Sequence, residues 1–220
     1  MTPSTTPKNR LPPARAARFA LALVLAAGLA TAAESPRDVV RRLADQAVAI
    51  LKDKSISGDV RRDRLETLAD SSVDFDTLSR LVLARNWSRF SPEEQQRFRD
   101  VFRRHLSVTY GKNIDSYRNE TVQIVSDREE ARGDWTVKSK ILRGGGDADI
   151  AVDYRLRQTN GEWKIIDFVV EGVSLVANFR SQFQDLLAND TPAQLIQRIQ
   201  EKNEHGEDFE DVKKRSPKVS

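Results

Sequence analysis

Apolar positions recur every three to four residues in the first half of the chain and every two in much of the second, so helices are predicted first and strands after them. Over 36–53, Val40, Leu43, Ala44, Ala47 and Leu51 share a helical face, with Ser35-Pro36 as N-cap and first-turn proline. Leu65, Leu68 and Ala69 mark a short second helix, separated from the first by Ser57-Gly58-Asp59. A third, over 74–86, gathers Phe75, Leu78, Leu81 and Val82 on one side. Ser91-Pro92-Glu93-Glu94 is a capping box with proline at the first helical position and acids at the positive end of the helix dipole. The helix it opens is expected to reach 117, with Phe98, Val101, Phe102, His105, Leu106, Thr109, Asn113 and Tyr117 on one stripe. Gly111 is its weak point.

The period changes to two near residue 120. Val122 and Ile124 open one strand, and Trp135, Val137, Ser139 and Ile141 alternate with polar residues in a second. After the Gly144-Gly145-Gly146-Asp147 turn, Ile150, Val152, Tyr154 and Leu156 define a third. Asn160-Gly161 then signals a hairpin into a fourth, Trp163–Val170, apolar on both faces. Ser174 can cap a helix carrying Leu175, Val176, Phe179, Phe183, Leu186 and Leu187. Thr191-Pro192-Ala193-Gln194 is a second capping box, opening a helix with Leu195, Ile196 and Ile199. The pattern predicts one α+β domain over 33–203, an antiparallel four-stranded β-meander packed against helices from both the N-terminal and C-terminal segments. The polar stretch 204–220 is expected to be a disordered tail.

The formal charge of +3 suggests a polyanion partner until the first residues are parsed. Lys8, Arg10, Arg15 and Arg18 precede a short apolar run from Phe19 to Leu29 and the small residues Ala30-Thr31-Ala32, the layout of a secretory signal peptide over 1–32. The run is shorter than the roughly 20 residues of a membrane span. Cleavage after Ala32 removes four of the 36 basic residues and no acids, leaving 32 against 33. Such a chain has no electrostatic footprint for nucleic acid. With no cysteine in the chain, disulfides and thiol chemistry are excluded. A bacterial periplasm is the expected address.

Candidate chemistry is sparse. The glycines at 144–146 join two strands, whereas a phosphate cradle needs a following helix, so a turn is expected. His105 lies on the inner stripe of its helix with no nucleophile at a telling spacing. Arg97, Arg99, Arg103 and Arg104 lie mostly off that stripe and form either a solvated face or a docking surface for an acidic partner. Asp153 and Asp167 sit in strands; each is either a structural acid or, on a cone-shaped α+β scaffold, a general acid or base for a small apolar substrate.

The segment from Trp163 through Ile166, Asp167, Phe168, Glu171-Gly172-Val173-Ser174 and Asn178 to Phe183 reads physically as strand, glycine turn, serine cap and amphipathic helix. In this order and spelling it resembles the signature of the MlaC-like family of periplasmic phospholipid-binding proteins, also called the toluene-tolerance auxiliary family. The helical half resembles that family too, through Phe75–Trp87, Ser91-Pro92-Glu93-Glu94-Gln95, Phe98, Phe102, Leu106 and Tyr110-Gly111. The likeness spans about 36–200. One departure is Ala84-Arg85, where the family pattern leads us to expect a glycine after the leucine.

The resemblance implies a soluble, non-enzymatic carrier with an apolar pocket between sheet and helices. It would hold a glycerophospholipid by its acyl chains, with no cofactor, and shuttle it between outer and inner membranes to maintain lipid asymmetry. It also implies an outer-membrane lipoprotein–porin complex and an inner-membrane ABC transporter complex with MCE domains as partners, with a monomer as the default state. Periodicity within that frame selects Leu81, Val82, Phe102, Leu106, Tyr110, Val137, Ile141, Val152, Tyr154, Val169, Val173 and Phe179 as the expected lipid lining. The rival readings are an enzyme using Asp167 or Asp153 and a periplasmic interaction module with no ligand.

Overall fold

A computed structural model describes residues 34–111 and 117–209. The expected signal peptide over 1–32 and most of the expected tail lie outside these residues. Helices α1 (Pro36–Lys52), α2 (Gly58–Ser72), α3 (Phe75–Leu83) and α4 (Pro92–Gly111) come first. Strands β1 (Thr121–Glu129), β2 (Trp135–Leu142), β3 (Ile150–Thr159), β4 (Glu162–Val170) and β5 (Val173–Ser174) follow, then α5 (Leu175–Leu187) and α6 (Pro192–His205). The α+β architecture is as the alternating periods required, with one addition. The sheet has five strands rather than four, because the chain turns back at Glu171-Gly172 and Val173-Ser174 pairs with Val170-Val169 before entering α5. Two residues are too few to show a period in the sequence.

Local chemistry sets the helix ends. Ser91 and Glu94 exchange hydrogen bonds at the start of α4, as do Thr191 and Gln194 at the start of α6. Ser57 caps α2 through the Val60 amide, so the expected linker Ser57-Gly58-Asp59 is instead the cap and first turn of that helix. The helix expected over 74–86 ends at Leu83, and a 3₁₀ segment, Ala84–Arg89, follows. Tyr117 lies outside any helix, and Asn113, which the longer α4 would have carried, falls outside the described residues.

Ala84 explains the break after α3. Its backbone stands at φ 48°, ψ −122°, a conformation that costs an L-residue of order 1–3 kcal/mol and that glycine adopts freely. It is also the position where the family resemblance implies glycine. Ala84→Gly is therefore expected to stabilise the protein by about 1 kcal/mol, after allowing for glycine's greater freedom when unfolded. A higher urea midpoint checks it; an unchanged or lower one contradicts the strain.

The strands pair in the order β1-β2-β3-β4-β5. Bulges at Val125 in β1 and Ile166 in β4 shift the register, and the second lets the adjacent Ile165 and Ile166 both be buried. Helices cover the face carrying Val137, Leu156 and Ile165. At the centre Phe98, Phe102, Phe179 and Phe183 from α4 and α5 interlock, ring centroids 5.0–5.8 Å apart.

The start of the expected tail is part of this interior. Helix α6 runs through His205 to a left-handed Gly206 cap, and Phe209 is buried against His105 and Phe183. A lone aromatic among charged residues gives no periodic signal, which is why 204–209 read as tail. His105 itself is fully buried, with Nδ1 2.9 Å from Asn203 Oδ1. Its Nε2 lies 3.7 Å from Asp208 Oδ1, too far for a hydrogen bond. Burial holds its pKa below the ordinary histidine value, against the opposing pull of Asn203 and Asp208. Below about pH 6.5 the unfolded chain then takes up a proton that the folded chain does not, so folding stability falls as pH drops toward 5. A urea midpoint lower at pH 5.5 than at 7.5, with the difference reduced in His105→Gln, is the expected result. Equal slopes in both proteins would overturn it.

Candidate functional site

Helix α2 buries little. Arg61 and Ser72 are its only buried residues, and its C-terminal end is stitched to β4 by the Val73–Ile165 bridge and by Lys164 Nζ donating to the Ser71 carbonyl. Its apolar residues Leu65 and Ala69 line a hollow. This cavity, about 690 Å³, lies between α2, α4 and the β4–β5 turn, with Leu65, Ala69, Leu106, Phe168 and Val173 on its walls. A second, about 440 Å³, lies between α1 and the sheet, lined by Leu43, Ala47, Leu51, Ile141, Ile150 and Tyr154. Leu65, Tyr110 and Phe168 border both, so the two form one cleft with a shared wall. Both volumes fall within the roughly 300–1,000 Å³ of ligand pockets.

The cleft is apolar inside and charged at its mouth. Burial raises the Tyr154 phenol above its usual pKa. At the mouth of the larger cavity stand Arg62, Arg103 and Arg104 with Glu66, Asp70 and Asp100. Arg103 forks onto Asp70, Arg104 reaches Glu66 at 3.4 Å and the Ser107 hydroxyl donates to Glu66, all bridging α4 to α2. Arg99 pairs likewise with Asp76 of α3. Three of the four arginines of α4 thus pair with acids of α2 or α3, while Arg97 is exposed. Arg103 and Arg104 stay in contact with solvent, so the face is at once solvated and bridged to its neighbours.

Of the twelve residues expected to line a pocket, five border the cleft: Leu106, Tyr110, Ile141, Tyr154 and Val173. The other seven do not border it. Val82, Phe102, Val137 and Phe179 are fully inside the solid core, Val152 is buried in the sheet, and Leu81 packs against the core from α3. The middle of an apolar stripe goes to the densest packing, and only its flank reaches a hollow. On α4, Phe98 and Phe102 are the middle; Leu106 and Tyr110 are the flank. Val169 pairs with Asp153 on the opposite face from Phe168 and Val170, which turns it away from the cleft. Leu65 and Ala69 were missed as lining residues because α2 is only weakly amphipathic. Their four-residue spacing, continued to Val73, was the available signal.

The strand acids have structural employment. Asp167 is buried; one oxygen accepts from the Ser174 hydroxyl at 2.6 Å, and the other from the Val176 amide at 3.0 Å. It ties β4 to the first turn of α5 and borders neither cavity. Asp153 lies 3.9 Å from Lys138. The triple glycine turns the chain from β2 into β3, each residue at positive φ.

The sequence profile of the MlaC protein family matches residues 41–201. The chain belongs to the MlaC family. Toluene tolerance protein ttg2D of Pseudomonas putida is 29% identical over 164 residues, covering 72% of this chain and 76% of that protein. The intermembrane phospholipid transport system binding protein MlaC of Haemophilus influenzae is 23% identical over 190 residues, covering 83% and 89%. A phospholipid-binding protein from Ralstonia solanacearum, solved in complex with a phospholipid, superposes with a TM-score of 0.69 at 26% identity, covering 77% of this chain and 97% of that one. This MlaC-family chain therefore shares its sheet-and-helix architecture with a protein whose structure holds a lipid. No described helix is long and apolar enough to cross a membrane.

Proposed function

We propose that this protein is a soluble periplasmic carrier that takes the acyl chains of one glycerophospholipid into the cleft and moves it between outer and inner membranes, helping to keep the outer membrane's lipids asymmetric. The observation that carries the reading is the cleft itself: two apolar hollows with a common wall and a charged mouth. Counting a methylene at about 30 Å³, the share of a water in the liquid, the two hollows together have room for roughly 38 of them, enough for two chains of about 16 carbons. Family membership and the lipid-bound Ralstonia relative support the same reading.

The energetics make a carrier necessary and release possible. At about 0.8 kcal/mol per methylene, two chains of roughly 16 carbons lose on the order of 25 kcal/mol on leaving an apolar medium for water. Unaided exchange is correspondingly slow. Bilayer and cleft are both apolar, so exchange between them is near balance and differential docking can set its direction. In this scheme the leader over 1–32 is removed on export, the carrier works as a monomer, and its partners are the outer-membrane lipoprotein–porin complex and the inner-membrane MCE-domain ABC transporter. No catalytic step is invoked. The test is organic extraction of the purified protein followed by mass spectrometry. About one phospholipid per chain is expected, and a chain that neither retains phospholipid nor takes it up from vesicles ends the proposal.

A further inference from the structure

Of the four α4 arginines that the sequence offered as a docking surface, three are paired with acids of α2 and α3. A different set gathers where α3 ends against α5. Arg80 lies over the Trp87 ring, 5.5 Å from its centroid. Arg180 Nε donates to the Leu81 carbonyl at 2.8 Å. Arg89 Nη1 donates to Asn86 Oδ1 at 3.1 Å and to the Leu187 carbonyl at 2.9 Å. Arg85 stands in the 3₁₀ segment between Arg80 and Arg89, exposed and with no side-chain bond to the described residues. None of these four arginines forms an ion pair among the described residues.

The acids of the same elements are taken or turned aside. Asp76, the only acid of α3, pairs with Arg99, and the 3₁₀ segment has none. Asp190, just past α5, is held by Arg198. Glu93 and Glu94 accept from Ser91 at the start of α4. Asp185, the only acid of α5, lies about 140° round that helix from Arg180. A cationic face is left on a domain whose basic and acidic residues nearly balance. We propose that Arg80, Arg85, Arg89 and Arg180, set around Trp87, dock an acidic surface of a partner protein. None of these residues borders either hollow, so a partner can hold this face while the cleft stays free to give or take lipid.

The chemistry of the face selects a protein partner. A guanidinium fork matches the two oxygens of an Asp or Glu carboxylate. Arg and Trp are the residue types most enriched where protein interfaces concentrate their binding energy. Three of the four guanidiniums are already fixed, by carbonyl oxygens or by the indole ring, so docking orders little that is not ordered beforehand. A bilayer surface is entered by apolar side chains, and the large apolar residues most exposed among the described residues, Val60, Tyr110, Val125, Val170 and Val173, lie elsewhere. Opposite charge on the partner speeds encounter and rejects surfaces of the wrong sign.

The experiment titrates the purified protein into a fluorescent poly-glutamate peptide at about 20 mM salt, where screening is weak, and follows anisotropy. Arg80→Gln/Arg85→Gln removes two guanidiniums of the face that hold no backbone contact; Arg97→Gln/Lys140→Gln removes two exposed positive charges elsewhere. Both are expected to keep the wild-type circular dichroism spectrum. The first is expected to bind the peptide about fivefold more weakly than wild type, and the second to bind as wild type does. Equal weakening in the two variants would mean that net charge alone decides, and overturns the proposal, as does a wild-type chain that ignores the peptide. Phosphatidylglycerol vesicles are the second probe: sedimentation with them that is lost in the first variant, without peptide binding, assigns the face to a bilayer and overturns the proposal too. Phospholipid per chain is expected to be equal in all three proteins. A wild-type chain that binds the peptide through this face but carries no lipid ends the carrier reading and leaves the docking face standing.

Discussion

Leu65→Asp is expected to leave a folded protein that has lost at least nine-tenths of its bound phospholipid. Leu65 is on the wall common to both hollows, so a carboxylate there faces the path of either chain. It belongs to α2, a helix that contributes little to the packed interior, so the fold does not depend on its side chain. Enclosing the acid against hydrocarbon without a partner costs several kcal/mol, and about 1.4 kcal/mol already weakens binding tenfold. The competing outcome, retention of a water-filled gap, still forfeits chain contacts. Lipid per chain by mass spectrometry, alongside an unchanged circular dichroism spectrum, is the measurement. Undiminished lipid would mean that the hollow described here is not where the chains go.

The second large effect concerns stability. Asp167→Ala is expected to cost about 3 kcal/mol, since two hydrogen bonds to a charged acceptor are worth roughly 1.5–3 kcal/mol each and the Val176 amide is left buried without a partner. Arg155, 3.6 Å away, is half exposed and recovers solvation when the acid goes, which keeps the loss from being larger. In a domain of this size that is a fall in Tm of about 6–12 °C. A catalytic Asp167 would show the reverse signature, with stability unchanged or raised on removal. A loss below about 1 kcal/mol would refute the anchoring role.

Much of this fold is written in local chemistry. The capping boxes at Ser91 and Thr191, the Asn160-Gly161 hairpin and the change of period near 120 each act over a few residues, and each reappears where its own physics puts it. What could not be read locally depends on partners distant in sequence. Phe102 and Leu106 are one helical turn apart and equally apolar, yet the first meets Phe179 of α5 and the second borders a hollow, a difference set by partners distant in sequence. On β4 the apolar residues occupy both faces, so alternation could not choose between Phe168 and Val169; the bulge at Ile166 and the pairing with Asp153 decide it. Helix α2 is the plainest case. The sequence marks it only as a short helix through Leu65, Leu68 and Ala69, whereas its scant burial is what leaves Leu65 and Ala69 on the wall of the cleft.

The strand order has a kinetic consequence. Each strand of the meander neighbours its successor in the chain, so the whole sheet can assemble by adding hairpins one after another, closing only short loops. Low sequence separation between paired residues favours rapid folding. Unpaired edges are then exposed only briefly while the chain collapses, and aggregation has little time to compete.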